Sequence, residues 1–114
     1  MTFEQYEAVV QKTAQYPGRD EKSLTYPVLG LCGESGEIAE KIKKLLRNRG
    51  KQLGTELTAE EQLDLMKEVG DVLWYTAAFA WSIGSSLEEV AQMNANKLLD
   101  RLARNVIKSE GDNR

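Results

Sequence analysis

Histidine is absent from the chain, and cysteine occurs once, at Cys32. Without histidine there is no zinc-finger ligation, no Ser-His-Asp triad and no Glu-x-x-His ligand of a di-iron bundle. A redox metal bundle would have to rest on carboxylates alone, which disfavours that class. One cysteine cannot close an internal disulfide and fits a reducing compartment. No basic partner marks it as a nucleophile, so Cys32 is expected to be a small buried side chain. No apolar run approaches the roughly 18 residues of a membrane span. The opening MTFEQYEAVV lacks the basic segment and apolar run of a signal peptide, so the expected location is the cytoplasm. A net charge of −3 and a pI of about 5.1 offer no electrostatic reason to seek nucleic acid or an anionic membrane. Catalysis, if present, must run on carboxylates, lysines, tyrosines or an oxygen-preferring metal.

What the chain does contain is helical pattern, over a length of 114 residues that suits one domain. Thr2 caps a first helix with Phe3, Tyr6, Val9 or Val10 and Thr13 on one side, ended by Pro17-Gly18. Pro27 suits the first turn of a second helix, although "SLTYPVLGL" is ambiguous between helix and strand. Leu31, Ile38, Ile42 and Leu45 continue that helix until "RNRGKQLG" ends it. Thr58 with Glu61 forms a capping box for a third helix, whose stripe of Leu63, Met66, Val69 and Leu73 runs to about Ile83, before Gly84. Ser86 with Glu89 repeats the box before a fourth helix marked by Val90, Leu98 and Leu102. The expected fold is therefore all-α, a four-helix bundle, with residues 1–104 as a single domain. Residues 105–114 form a polar tail, mobile unless a ligand or neighbour holds it.

Positions three apart share one helix face, so Glu34 and Glu37 project together from the second helix, and Glu68 and Asp71 from the third. Both pairs sit inside apolar segments, "LGLCGESGEIAE" and "LMKEVGDVLWY". Subtracting these four charges from a net of −3 leaves +1, so the rest of the chain is not generally acidic. Four carboxylates converging at reduced dielectric repel one another, and a cation preferring oxygen ligands, Mg²⁺ first and Mn²⁺ second, relieves the repulsion. Either pair alone equally describes a solvated helix surface. Gly30, Gly33 and Gly36 line a strip beside the acids, and Gly70 repeats the pattern. Missing side chains there leave room for a neighbouring helix or a ligand, at a cost of about 1 kcal/mol each against alanine.

The fourth helix carries Asn94, Lys97, Arg101 and Arg104 at spacings of three, four and three, an amide and three cations suited to phosphate oxygens. Arg101 and Arg104 equally suit complementing the dipole at the helix C-terminus. Lys43, Lys44 and Arg47 read as solvated. Trp74, Phe79 and Trp81 read as core, whereas Tyr75, one turn beyond Asp71, lies along the acidic face.

These residues resemble those of the MazG-like, all-α nucleoside triphosphate pyrophosphohydrolases. The pattern E-x-x-E, spacer, E-x-x-D is met by Glu34, Glu37, Glu68 and Asp71. The likeness continues through "YPVLGLCGESGEIAEKIKKLLR", "EVGDVLWY", "GSSLEEV" and "NANKLLDRLAR", and the ending "KSEGDNR" is similar to tails of short members from bacteria and their phages. The 30 residues between Glu37 and Glu68 are at the long end for the pattern, which implies an enlarged loop over residues 48–57.

The resemblance implies that Glu34, Glu37, Glu68 and Asp71 ligate Mg²⁺. It also implies cleavage of a (deoxy)nucleoside triphosphate between the α- and β-phosphates, releasing a nucleoside monophosphate and pyrophosphate. Glu34 and Glu37, Glu37 foremost, become the candidates to orient or deprotonate water. Asn94, Lys97, Arg101 and Tyr75 become candidates for substrate. Nothing in the sequence selects a base, though purine deoxynucleotides such as dGTP merit testing first. A homo-oligomer, dimer or tetramer, is expected both from the resemblance and from the packing surface of "VLWYTAAFAWSIG", which exceeds what one bundle uses. The alternative is a non-catalytic helical interaction module whose acids hold a structural metal.

Overall fold

The computed structural model describes residues 1–49 and 56–114. It contains four helices, α1 Phe3–Thr13, α2 Thr25–Arg49, α3 Ala59–Ser82 and α4 Leu87–Ala103, and no strand among the described residues. The expectation of an enlarged 48–57 loop falls mainly on residues 50–55 and lies outside the described residues.

Local chemistry accounts for the boundaries. Thr2 and Gln5 make a reciprocal capping box at the start of α1, and Thr58 and Glu61 make another at α3. Helix α1 gives way at Ala14, before Pro17-Gly18. The ambiguous "SLTYPVLGL" resolves as helix from Thr25, with Pro27 fully buried in the first turn, where its missing N–H costs nothing. At the end of α3, Gly84 takes a left-handed φ of 78°, and Ser85 N donates back to the Ala80 carbonyl at 2.8 Å. The α4 cap departs from expectation. Ser86 Oγ accepts from Glu89 N, but the Glu89 carboxylate turns to the Ser85 hydroxyl at 2.8 Å instead of completing the box.

The helices do not close a four-helix core within one chain. Helix α2 packs only along α3, while α1, α3 and α4 meet at the other end. There Val10, Ala14, Tyr16, Ala77, Ala78 and Leu87 form a small core, flanked by Tyr6, Leu73 and Trp74. Trp74 Nε1 donates to Thr13 Oγ1 at 2.8 Å, and the Glu7 carboxylate accepts from the Leu87 amide at 3.1 Å, capping α4 from α1. The linker between α1 and α2 is pinned over α3 by Arg19 and Lys22, whose charges lie 5.1 and 4.7 Å from the Trp81 ring centre. The radius of gyration is 17.1 Å, against roughly 13 Å for a compact chain of this length. Met66, Met93, Leu99 and Leu102 are each 60% exposed or more. No helix among the described residues is long and apolar enough to cross a membrane.

One close approach fixes the α2–α3 register near the acids. The Tyr75 ring of α3 rests on Gly30 of α2, and a Cβ there would fall inside the ring carbons. The ring is flanked by Trp74 at 4.9 Å and Tyr26 at 6.4 Å between centroids, so a shift must move these rings as well. Gly30→Ala should therefore destabilise the fold by about 1–2 kcal/mol, because overpacking outweighs the gain of about 1 kcal/mol in helix propensity. Urea unfolding measures this, and an increase in stability would show that Tyr75 is not seated on Gly30.

Candidate functional site

The acids come together because α2 and α3 pack along their length and each presents its carboxylates to the other. Glu34, Glu68 and Asp71 each place a carboxylate oxygen within 4.8 Å of the others, a set of three acids from two helices. Glu37 is exposed and outside this set, though close enough for its charge to act on Glu34. Burial and then the charges of Asp71, Glu68 and Glu37 push the Glu34 carboxyl above its ordinary range. Oxygen donors of this kind, repelling one another, fit a hard divalent cation.

Three neighbours were not identified from the sequence. Lys41 bridges Glu68 at 2.7 Å and Asp64 at 2.8 Å, so one arm of the cluster already has a counter-charge. Those two carboxylates, Asp64 first, hold the Lys41 ammonium above its ordinary pKa. Lys41 lies seven residues beyond Glu34, two helical turns along one face, and that spacing was the available clue. Tyr6 reaches the site from α1; burial, then the charge of Asp71, raises its phenol pKa. No local pattern announces such a contact. Tyr26 is the third: its ring stacks on Tyr16 with centroids 5.1 Å apart and lies tilted beside Tyr75 at 6.4 Å. Tyr75 is shifted upward by burial, by Tyr26, and by the charges of Glu34 and Asp71, which places it beside the acids as its spacing predicted.

Gly33, Gly36 and Gly70 face open space, in contrast to Gly30. The sequence-based expectation for Cys32 is corrected, because the thiol is exposed. It lies about half a helical turn round from Glu34, on the side of α2 that no other helix covers. Lys43 and Lys44 pair with Glu40 at the surface, as solvated residues do.

The candidates on α4 stand apart from the acids. Helix α4 does not pack on α2, and Asn94 is exposed. Lys97 pairs with Asp112 of the tail at 3.3 Å. Arg101 is only 4% exposed and donates to the tail carbonyls of Gly111 and Asp112. Arg104 pairs with Asp100. Within one chain the structure thus unites Glu34, Glu68, Asp71 and Tyr75, and leaves Asn94, Lys97 and Arg101 on a separate face.

The raised pKa of Glu34 has a stability consequence. The folded state holds its proton more tightly than the unfolded chain, so the metal-free fold loses stability as pH rises past the ordinary carboxylate range. Glu34→Gln should raise the melting temperature in EDTA at about pH 7, and the gain should vanish near pH 3, where the carboxyl is protonated in both states. Equal differences at both pH values would show that the ionisation of Glu34 is not the cause.

Comparison with known proteins bears on the same residues. The family model of the MazG nucleotide pyrophosphohydrolase domain matches residues 22–105, a span that contains all four acids and the cations of α4. The chain is also similar to the Gene 37 protein of Mycobacterium phage L5, 42% identical over 113 residues and covering 96% of each chain. No solved structure matches it. With four helices, acids converging from the second and third, and a match over most of its length, the chain belongs to the MazG nucleotide pyrophosphohydrolase domain family.

Proposed function

We propose that the protein is a Mg²⁺-dependent pyrophosphohydrolase that converts a (deoxy)nucleoside triphosphate to its monophosphate and pyrophosphate in the cytoplasm. Residues 1–104 act as one domain. The observation that carries this reading is the convergence of Glu34, Glu68 and Asp71 within 4.8 Å in a chain of the MazG family. These three acids would hold the metal, with Glu37 completing the set as substrate enters. A bound Mg²⁺, or Mn²⁺ in its place, supplies charge neutralisation at the phosphates and a lowered pKa for its water.

The chain's own groups divide the remaining work. Glu37, exposed beside the cluster and without an ion pair among the described residues, is suited to orient water and accept its proton. Lys41 holds Glu68 at 2.7 Å at the edge of the cluster and limits its motion. Tyr75 and Tyr26 form an aromatic wall beside the acids, and the open strip of Gly33 and Gly36 leaves space for a nucleoside. Asn94, Lys97 and Arg101 would steady phosphate oxygens, and since they lie away from the acids in one chain, a second chain is the natural source of them.

The test is a hydrolysis screen over canonical and modified nucleotides, dGTP included, in Mg²⁺ and in EDTA. Equal amounts of monophosphate and pyrophosphate should form only with metal, and Glu37→Gln should lower kcat by about 10²-fold or more with its helical content unchanged. Metal binding without pyrophosphate release would instead favour the non-catalytic interaction module.

The same reading makes the active unit a homo-oligomer, at least a dimer. Its support is the open shape of the chain and the exposed apolar residues of α3 and α4, which a symmetric neighbour would bury. Light scattering should give at least twice the 12.8 kDa chain mass, and activity per chain should fall on dilution through the dissociation range. A fully active monomer would refute it.

A further inference from the structure

The tail that follows α4 is folded back onto the helix. Asn105 and Gly111 adopt left-handed φ values of 58° and 86°, which reverse the chain. Val106 N donates to the Arg101 carbonyl at 2.9 Å, closing the first of these turns. The Asp112 carboxylate thereby arrives between two cations, with the same oxygen 3.3 Å from Lys97 Nζ and 3.3 Å from an Arg101 guanidinium nitrogen. That guanidinium nitrogen also donates to the Asp112 carbonyl at 2.7 Å and the Gly111 carbonyl at 3.4 Å. Arg101 is 4% exposed under this cover, and its Nε has no partner among the described residues. Two cations one helical turn apart, a buried guanidinium with a spare donor, and a carboxylate laid across them describe an anion site with its anion supplied by the chain itself.

We propose that Asp112 is the resident anion of a Lys97–Arg101 polyphosphate site, and that the tail must lift away for a phosphate chain to bind there. The inference rests on the reading of Lys97 and Arg101 as phosphate ligands and adds what now occupies them. The geometry makes the two occupants exclusive. Lys97 and Arg101 cannot direct the same N–H groups at Asp112 and at a phosphate oxygen, and Arg101 is closed to solvent while the tail is down. The ion pairs of Asp112 are the weak part of the tail's hold. The Asp112 side chain is 83% exposed, so its ion pairs are screened by water, whereas a di- or triphosphate brings several charges to the same donors. The strap thus tunes affinity and does not block the reaction outright. The two cations hold the Asp112 carboxyl below its ordinary pKa, so it stays charged and in place at neutral pH.

The experiment uses the full-length chain and follows the amide resonances of Gly111, Asp112 and Asn113 by NMR. Inorganic pyrophosphate is titrated in one arm and a non-hydrolysable α,β-imido nucleoside triphosphate in the other, both with Mg²⁺. In the wild type, the resonances should move toward those of a released tail, sharpening as they go. Movement with the nucleotide alone supports the proposal with substrate as the source, and movement with both makes the pyrophosphate product a ligand as well. Asp112→Asn should show a partly released tail without ligand and a KM about three-fold lower, with kcat within two-fold of wild type, in line with the small worth of exposed ion pairs. Tail resonances unmoved in both arms would overturn the proposal. So would an unchanged KM in Asp112→Asn while Lys97→Ala raises KM, an outcome that leaves the phosphate role of Lys97 standing. An unchanged KM in Lys97→Ala would remove the phosphate reading and this inference together.

Discussion

Mutual repulsion among carboxylates that the helix pairing forces together is the constraint on which the rest of this structure depends. Glu34, Glu68 and Asp71 belong to two helices whose apolar stripes pull them into contact, and that contact brings their oxygens within 4.8 Å. The hydrophobic term is non-directional and the repulsion is local, so packing prevails, and burial first and the neighbouring charges second raise the Glu34 pKa. The surroundings moderate the conflict. Lys41 compensates one arm at Glu68 and Asp64, and Tyr6 and Tyr75 line another side with neutral phenols. Gly30 allows the Tyr75 ring to lie against α2, which keeps the two helices close at this level.

The same pairing explains the lopsided build of the chain. The core is small and rich in alanine because α1, α3 and the start of α4 meet over a short stretch. Beyond it, among the described residues, the α2–α3 hairpin and most of α4 present apolar residues that remain exposed. A chain of this size has little apolar area to bury alone, so leaving such faces open is consistent with association. Open glycines at Gly33 and Gly36 belong to the same picture, since they leave space on α2 that one chain does not fill.

The clustered acids and the α4 cations stand on different faces of the molecule. The acids gather on α2 and α3, whereas the cations of α4 lie apart and turn to the tail. Separation of this kind keeps Lys97 and Arg101 from neutralising the acids directly, which would compete with a metal. In the proposed reading these are two half-sites of opposite sign, one for a cation and one for an anion, and a metal-bound polyphosphate carries both.

Much of this was legible from local pattern. Capping at Thr2, Thr58 and Ser86 marked three helix starts, and three-residue spacing put each acidic pair on one face, because helix geometry is set by neighbours in sequence. Tyr75 beside Asp71 followed from the same periodicity. What depended on which helix lies against which was not legible. The exposure of Cys32, the approach of Tyr6, the Lys41 bridge and the position of Glu37 outside the closest set are of this kind. So is the burial of Arg101 beneath Asp112, eleven residues away in sequence but brought back by turns at Asn105 and Gly111. By itself the sequence determined four helices and the acids that share their faces, since those follow from backbone hydrogen bonding and a 3.6-residue repeat. Only the tertiary structure decided which acids converge and which cations are covered, because burial and distance between helices are set by packing of surfaces far apart along the chain.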